Sequence, residues 1–131
     1  MKGRKVSPAI LIDTSAWIEF LRGHAGSMAD SVQVALELHK ARLCGPVKAE
    51  LLQGAKGNKE KDQLRLIFEA VPSLETQESD WIQTGEMLQN LRSKGVTLPL
   101  TDALIAAIAQ RHHTSVLTLD QHFSHLEVEL A

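Results

Sequence analysis

Two apolar runs in this chain each end on an aspartate, and after each the pattern turns toward helix. The runs are Ala9-Ile10-Leu11-Ile12-Asp13 and Ser115-Val116-Leu117-Thr118-Leu119-Asp120. Short β-rich apolar runs among helical patterns read as buried parallel strands. In open α/β sheets, ligands bind in the crevice beyond the strands' carboxyl ends. Two carboxylates there imply a negatively charged pocket, which repels itself unless a cation or protons neutralise it. A metal site follows from that arrangement.

With 131 residues the chain has room for one domain, residues 1–131, and for a core of its own. The formal net charge of −2 gives no global basic signature for nucleic acid. Polyanion affinity must then come from a local patch or a bound cation. Cys44 is the single cysteine, which excludes an intramolecular disulfide and fits a reducing cytoplasm. Its apolar surroundings suggest a small buried strand residue rather than a reactive thiol. Met1 to Pro8 carries Lys2, Arg4 and Lys5, and the apolar run after it is too short for a signal peptide or a membrane span.

Periodicity and stop signals divide the chain into alternating elements. Strands are expected at 9–12, 42–44, 69–71 and 115–119, with a last one at 126–130. Helices are expected at 14–22, at 27–41 opened by a Ser27/Asp30 capping box, and from Gly45-Pro46 to Gly54 or Gly57. Further helices are expected at 59–68 and 78–94, the latter with Trp81, Gly85, Leu88 and Leu91 as its buried stripe. Thr101-Asp102 opens a helix of almost wholly apolar character, Ala103 to Ala109, and a helix apolar all round is buried. Strands alternating with helices imply an α/β sandwich with a mainly parallel central sheet.

Asp102 falls in the first turn of that apolar helix, and Glu50 lies early in the helix after the second strand. With Asp13 and Asp120 they make four carboxylates near strand ends or early helix turns. Each also has a purely structural reading. Asp13 can cap the helix that starts at Thr14, Asp102 can complement a helix dipole, Asp120 can form a turn, and Glu50 can face solvent.

Four segments carry a family resemblance. Ile12-Asp13-Thr14-Ser15-Ala16-Trp17-Ile18-Glu19-Phe20-Leu21-Arg22-Gly23 resembles the opening motif of PIN-domain ribonucleases, specifically the VapC-type toxins of bacterial toxin–antitoxin pairs. Val47-Lys48-Ala49-Glu50-Leu51-Leu52-Gln53-Gly54-Ala55 is similar to their glutamate-bearing helix. Thr101-Asp102-Ala103-Leu104-Ile105-Ala106-Ala107 resembles their third acidic motif, and Leu117-Thr118-Leu119-Asp120-Gln121-His122-Phe123 resembles the fourth. His122 stands where many members carry a further acid. The resemblance implies a PIN-like three-layer α/β/α sandwich with four to five strands in the sheet. It implies an endoribonuclease toxin that leaves a 5′-phosphate and a 3′-hydroxyl, acts as a homodimer, and is neutralised by a VapB-like antitoxin that makes any DNA contact itself. It also implies that the first helix, with Trp17, Phe20 and Arg22, helps form the antitoxin groove.

The chemistry explains why such an enzyme needs these groups. A phosphodiester is anionic and resists an anionic nucleophile; hard divalent cations offset that charge and make a water more acidic. Carboxylates suit Mg²⁺ or Mn²⁺ better than Zn²⁺, which prefers His and Cys. Asp13, Glu50, Asp102 and Asp120 are therefore the expected catalytic residues and cation ligands, with the Ser15 hydroxyl in support. His122 and His125, three apart, and the adjacent His112 and His113 lack the Cys or second His pair of a zinc pattern. Lys56, Lys59, Lys61 and Arg65 cluster around one turn and read as a solubilising face or a phosphate track. Other functions compete. These are a PIN nuclease of RNA processing without an antitoxin, and a catalytically inactive RNA- or protein-binding module. A receiver-like phosphoacceptor needs an acidic pair at the first strand and a lysine after the last, but no Lys or Arg follows residue 111. A haloacid-type phosphatase needs a second Asp where Ser15 stands.

Overall fold

Leu11 and Ile12 are neighbours on one strand, so their side chains point to opposite faces of the sheet, and both are fully buried. Leu43 and Cys44 repeat this on a second strand. Both faces of the sheet are therefore covered, as a parallel sheet requires. The computed structural model, which describes residues 8–23 and 25–131, confirms a three-layer α/β arrangement. The basic stretch of Lys2, Arg4 and Lys5 lies outside the described residues.

In chain order the elements are β1 (Ile10–Ile12), α1 (Thr14–Leu21), α2 (Ser27–Glu37), β2 (Ala41–Cys44), α3 (Gly45–Gln53), α4 (Asn58–Ala70), β3 (Ser73–Leu74), α5 (Glu78–Ser93), α6 (Leu100–His112) and β4 (Ser115–Leu117). A 3₁₀ turn follows at Gln121–His125. The four strands are all parallel, in the order β3-β2-β1-β4. The chain steps outward from β1 to β3, then crosses the sheet to place β4 on the other side of β1. The direction of winding therefore reverses between β1 and β4, and the crevice at such a reversal is where α/β sheets bind ligands.

The apolar segment of α6 explains how the third acid reaches this crevice. Residues Asp102 to Ala109 are all buried, so the helix is driven into the core whatever its rotation. Each fully buried Leu or Ile there contributes about 1.5–3 kcal/mol. Because α6 runs antiparallel to β4, its N-terminus and Asp102 lie at the carboxyl ends of the strands. Gly23 (φ +69°) and Gly95 (φ +83°) take the left-handed conformation that stops α1 and α5, as their sequence positions suggest.

Five local expectations need correction. The Ser27/Asp30 capping box does not form: Ser27 is already inside α2, Gly26 is the cap residue, and α2 ends at Glu37. His39 then takes a left-handed conformation (φ +57°) to reverse the chain into β2. The expected strand at 69–71 is the end of α4, and pairing begins only at Ser73. β4 stops at Leu117, because the next two residues turn into the acidic crevice. The expected strand at 126–130 amounts to one bridge between Leu130 and Val116. Finally, Trp81 and Gly85 are exposed rather than buried, Trp81 at 49%. The buried face of α5 is instead centred on Asp80 and Thr84, one residue earlier, with Met87, Leu88 and Leu91 leaning on the core.

What turns α5 is a buried ion pair. Arg111 on α6 donates from Nε to Asp80 Oδ1 (2.9 Å) and from a terminal nitrogen to Oδ2 (3.0 Å). The Asp80 carboxylate also accepts the Gln77 N–H (2.8 Å) and closes a capping box at the start of α5. Burial pushes the Asp80 pKa up, but the Arg111 and Gln77 hydrogen bonds outweigh it and hold the carboxyl below its ordinary range.

Candidate active site

Asp13 immediately follows β1, and its N–H still pairs with Leu117 O of β4 (2.9 Å). The sheet thus delivers this carboxylate to the winding reversal, where it is 3% exposed. Its Oδ2 accepts from Ser15 Oγ (2.9 Å) and Thr118 Oγ1 (2.8 Å). Each hydroxyl is itself oriented by a backbone donor: Leu119 N–H to Ser15 Oγ (3.0 Å), and Asp120 N–H to Thr118 Oγ1 (2.9 Å). Ser15 is thus hydrogen-bonded directly to Asp13. Thr118 does the same work and was not singled out by the sequence; its place after a strand beside an Asp was the available signal.

Asp102 comes from α6 and is 7% exposed. Asp120 caps the 3₁₀ turn by accepting the His122 N–H at Oδ1 (2.9 Å). The His122 ring folds back between the two acids: Nδ1 lies 2.8 Å from Asp102 Oδ2 and 3.0 Å from Asp120 Oδ1. Ligand atoms of Asp102, Asp120 and His122 all fall within 4.8 Å of one another. His122 is thus part of the site, although its spacing to His125 had pointed only to an absent zinc pattern. Burial, together with the negative charges of Asp120 and Asp13, pushes the Asp102 pKa up to about 6 against the opposing hydrogen bond from His122. The same bond to Asp102, helped by the Asp120 charge, raises the His122 pKa.

Glu50 is on the second turn of α3 and reaches the site by a different route. Thr14 Oγ1, one residue past Asp13, donates to Glu50 Oε1 at 2.5 Å. The negative charges of Asp13 and Glu50 both act on the Cys44 thiol between their elements. Burial, with those charges adding, pushes that thiol up to about 12, so Cys44 stays protonated and inert, as its sequence context suggested. The structure therefore brings Asp102, Asp120 and His122 into direct contact range. Asp13 lies close enough to perturb Asp102, and Glu50 is tied to the same crevice through Thr14. Among the described residues, no Lys or Arg side chain pairs with Asp13, Asp102 or Asp120.

The residues expected at a partner surface divide. Trp17 is fully buried and belongs to the core, because α1 presents that face to the sheet; it is no surface contact in this fold. Phe20 is half-buried and meets the Trp17 ring edge-on at 6.2 Å between centroids. Arg22 is exposed and lines a cleft of about 290 Å³ with Leu21, Glu50, Lys56 and Leu64. The basic cluster near this cleft is interleaved with acids: Arg65 pairs with Asp62, and Glu60 accepts the Lys56 N–H. That favours the solubilising reading over an unbroken phosphate track. No helix among the described residues is long and apolar enough to cross a membrane.

The chain is similar to known proteins. The family model for the PIN domain matches residues 10–129. Ribonuclease VapC11 of Mycobacterium tuberculosis is 33% identical over 118 residues, covering 87% of this chain and 88% of the relative. Among solved structures, the VapBC2 complex of Rickettsia felis bound to a promoter DNA fragment superposes with a TM-score of 0.78, covering 94% of this chain and 97% of that one at 17% identity. FitAcB from Neisseria gonorrhoeae gives a TM-score of 0.76, covering 92% and 95% at 23% identity. At such identities these two show the shared fold, while the sequence relative and the family model fix the lineage. The chain belongs to the PIN domain family, alongside the VapC ribonucleases.

Proposed function

We propose that this chain is a VapC-type toxin, a divalent-cation-dependent endoribonuclease that a VapB-like antitoxin holds inactive. The observation that carries this reading is the gathering of Asp13, Asp102 and Asp120 at the winding reversal, two of them buried, with no Lys or Arg among the described residues paired to them. Buried like charges are costly unless something positive joins them. The donors are mainly carboxylate oxygens, which fit Mg²⁺ or Mn²⁺. Asp13, Asp102 and Asp120 hold the cation in this reading, with Glu50 on the facing helix completing the acidic set directly or through water.

A cation held there would offset the charge of the phosphodiester and lower the pKa of a bound water, so that the water loses its proton to solvent near neutral pH and becomes a nucleophile for phosphorus. The chain's own part is positioning. Ser15 and Thr118 occupy Oδ2 of Asp13 with two hydrogen bonds, fixing the carboxylate plane. Thr14 holds Glu50 at a set distance from the β1 terminus. Asp120 is fixed by its cap bond to the His122 N–H. Rigid ligands of this kind lower the reorganisation needed when substrate arrives.

The PIN-family relatives named as ribonucleases support RNA as the substrate, and the toxin–antitoxin complexes that share the fold support a VapB-like partner. Phe20, Arg22 and the cleft beside Glu50 are the surface we assign to that partner. A homodimer and a cytoplasmic location complete the proposal, along with a single catalytic domain. An RNA-processing nuclease without an antitoxin is the alternative; a neighbouring gene for a small DNA-binding protein separates the two. The direct test is to induce the protein and its Asp13→Asn variant in a bacterial host and sequence RNA 5′-phosphate ends. New ends at one or a few sites, absent with the variant, are expected. Unchanged ends from abundant, soluble wild-type protein in a host carrying the source organism's tRNA and ribosomal RNA genes would sink the reading.

A further inference from the structure

The ring nitrogen of His122 faces two carboxylate oxygens at once, at 2.8 and 3.0 Å. Adjacent ligands around an octahedral ion with bonds of about 2.1 Å lie about 3 Å apart, so the two spacings at Nδ1 suit neighbouring donors of one cation, and the ligand atoms of all three residues lie within 4.8 Å of one another. The three donors sit on one side of the crevice, where a divalent ion would meet all of them. We propose that His122 Nδ1 is a direct ligand of a divalent cation shared with Asp102 and Asp120, and that this nitrogen makes the site select Mn²⁺ over Mg²⁺. The proposal rests on the reading of the crevice as a cation site and adds a ligand and a selectivity to it.

The selectivity follows from ligand chemistry. Mg²⁺ and Mn²⁺ both accept octahedral carboxylate and water shells, but Mg²⁺ is harder and keeps its waters. An imidazole nitrogen is a poor exchange for water on Mg²⁺ and a good one on a transition ion. One nitrogen among oxygen donors, with no thiolate, leaves the site short of the Cys- and His-rich sets that Zn²⁺ prefers. The second ring nitrogen is free to remain in solvent, since the His122 side chain is 45% exposed. The ring sits on the short turn that Asp120 caps, so the same segment supplies both ligands.

The test uses purified protein without RNA. Mn²⁺ binding is followed by loss of the free-ion electron paramagnetic resonance signal, with Mg²⁺ as competitor. Pulsed resonance then reads nitrogen-14 coupling to the bound Mn²⁺. Wild type is expected to bind Mn²⁺ with a nitrogen coupling, and Asp102→Asn to lose that binding. His122→Asp and His122→Gln are expected to lose the coupling. His122→Asp is further expected to let Mg²⁺ compete roughly tenfold better, the size of change that altered metal-site partners produce. Bound Mn²⁺ that Asp102→Asn releases but that shows no nitrogen coupling overturns the role of His122 while the cation site stands. A coupling that survives both His122 variants does the same. Failure of wild type to bind either ion at millimolar concentration overturns this inference and the cation reading together.

Discussion

Asp80 and Asp102 are both buried carboxylates on helices of the same packed pair, yet their surroundings push them in opposite directions. Asp80 meets the Arg111 guanidinium through two hydrogen bonds and a backbone N–H, and its pKa is lowered. Among the described residues Asp102 meets His122, and burial with the negative fields of Asp120 and Asp13 raises its pKa to about 6. Burial pushes both upward; it prevails at Asp102 and is outweighed at Asp80 by Arg111 and Gln77. What differs is whether the fold supplies its own countercharge. Where it does, the acid fastens α5 to α6; where it does not, the fold holds a buried charge that a ligand from outside can relieve. The candidate active site is distinguished by acids that meet no guanidinium or ammonium among the described residues.

The sharpest way to break this contrast is to neutralise each acid in turn and measure RNA cleavage. Asp13→Asn and Asp102→Asn are each expected to lower it by at least about 100-fold, beyond the 10–100-fold typical of supporting groups around a metal. Asp80→Asn is expected to keep its activity per folded molecule at low temperature. Equal losses from all three would erase the distinction.

Stability should invert the order. Asp80→Asn leaves the Arg111 charge unpaired, and thermal unfolding in EDTA is expected to show a loss of roughly 2–3 kcal/mol, about 10 °C in Tm. That is below the cost for a fully buried pair, because Arg111 is partly in water. A Ser15→Ala or Thr118→Ala change should cost about tenfold in cleavage with little change in Tm, since each hydroxyl orients Asp13 without itself meeting the cation. A large stability loss would recast both as structural.

The smallest effects are in the pH dependence of the cation-free fold. Asp80 has a folded pKa below its unfolded one, so its stabilisation is complete above about pH 4 and lost as pH falls through the lower folded value. Asp102 has a folded pKa above its unfolded one, so the folded state binds the extra proton and stability falls as pH rises from about 4 through about 6. His122, also raised, extends that fall to higher pH. Asp102→Asn should remove the Asp102 part and gain on the order of 1 kcal/mol near neutral pH in EDTA. Chemical denaturation at pH 5 and pH 7.5 checks this; identical wild-type and variant pH profiles would show that Asp102 carries no unrelieved charge.

Much of this was written locally in the chain. Leu11 and Ile12 announced a strand covered on both faces, Gly45-Pro46 a helix start, and Ala103 to Ala109 a helix buried all round, because each pattern lies within one element and its period can be counted. The four acids and Ser15 were legible for the same reason, each sitting at a strand end or an early helix turn. Tertiary structure decided the rest. Trp81 and Asp80 differ by one step around α5, and the inward one is Asp80, which meets Arg111 from far along the chain on α6. Trp17 read equally as core or as partner surface, and the packing of α1 on the sheet placed it in the core. Thr118 reaches Asp13, and His122 reaches Asp102, only because β4 lies beside β1 with α6 antiparallel to it. Periodicity is a property of neighbours in sequence and can be read from them. The pairing of charges across elements depends on strand order and helix direction, and these are fixed when the core packs.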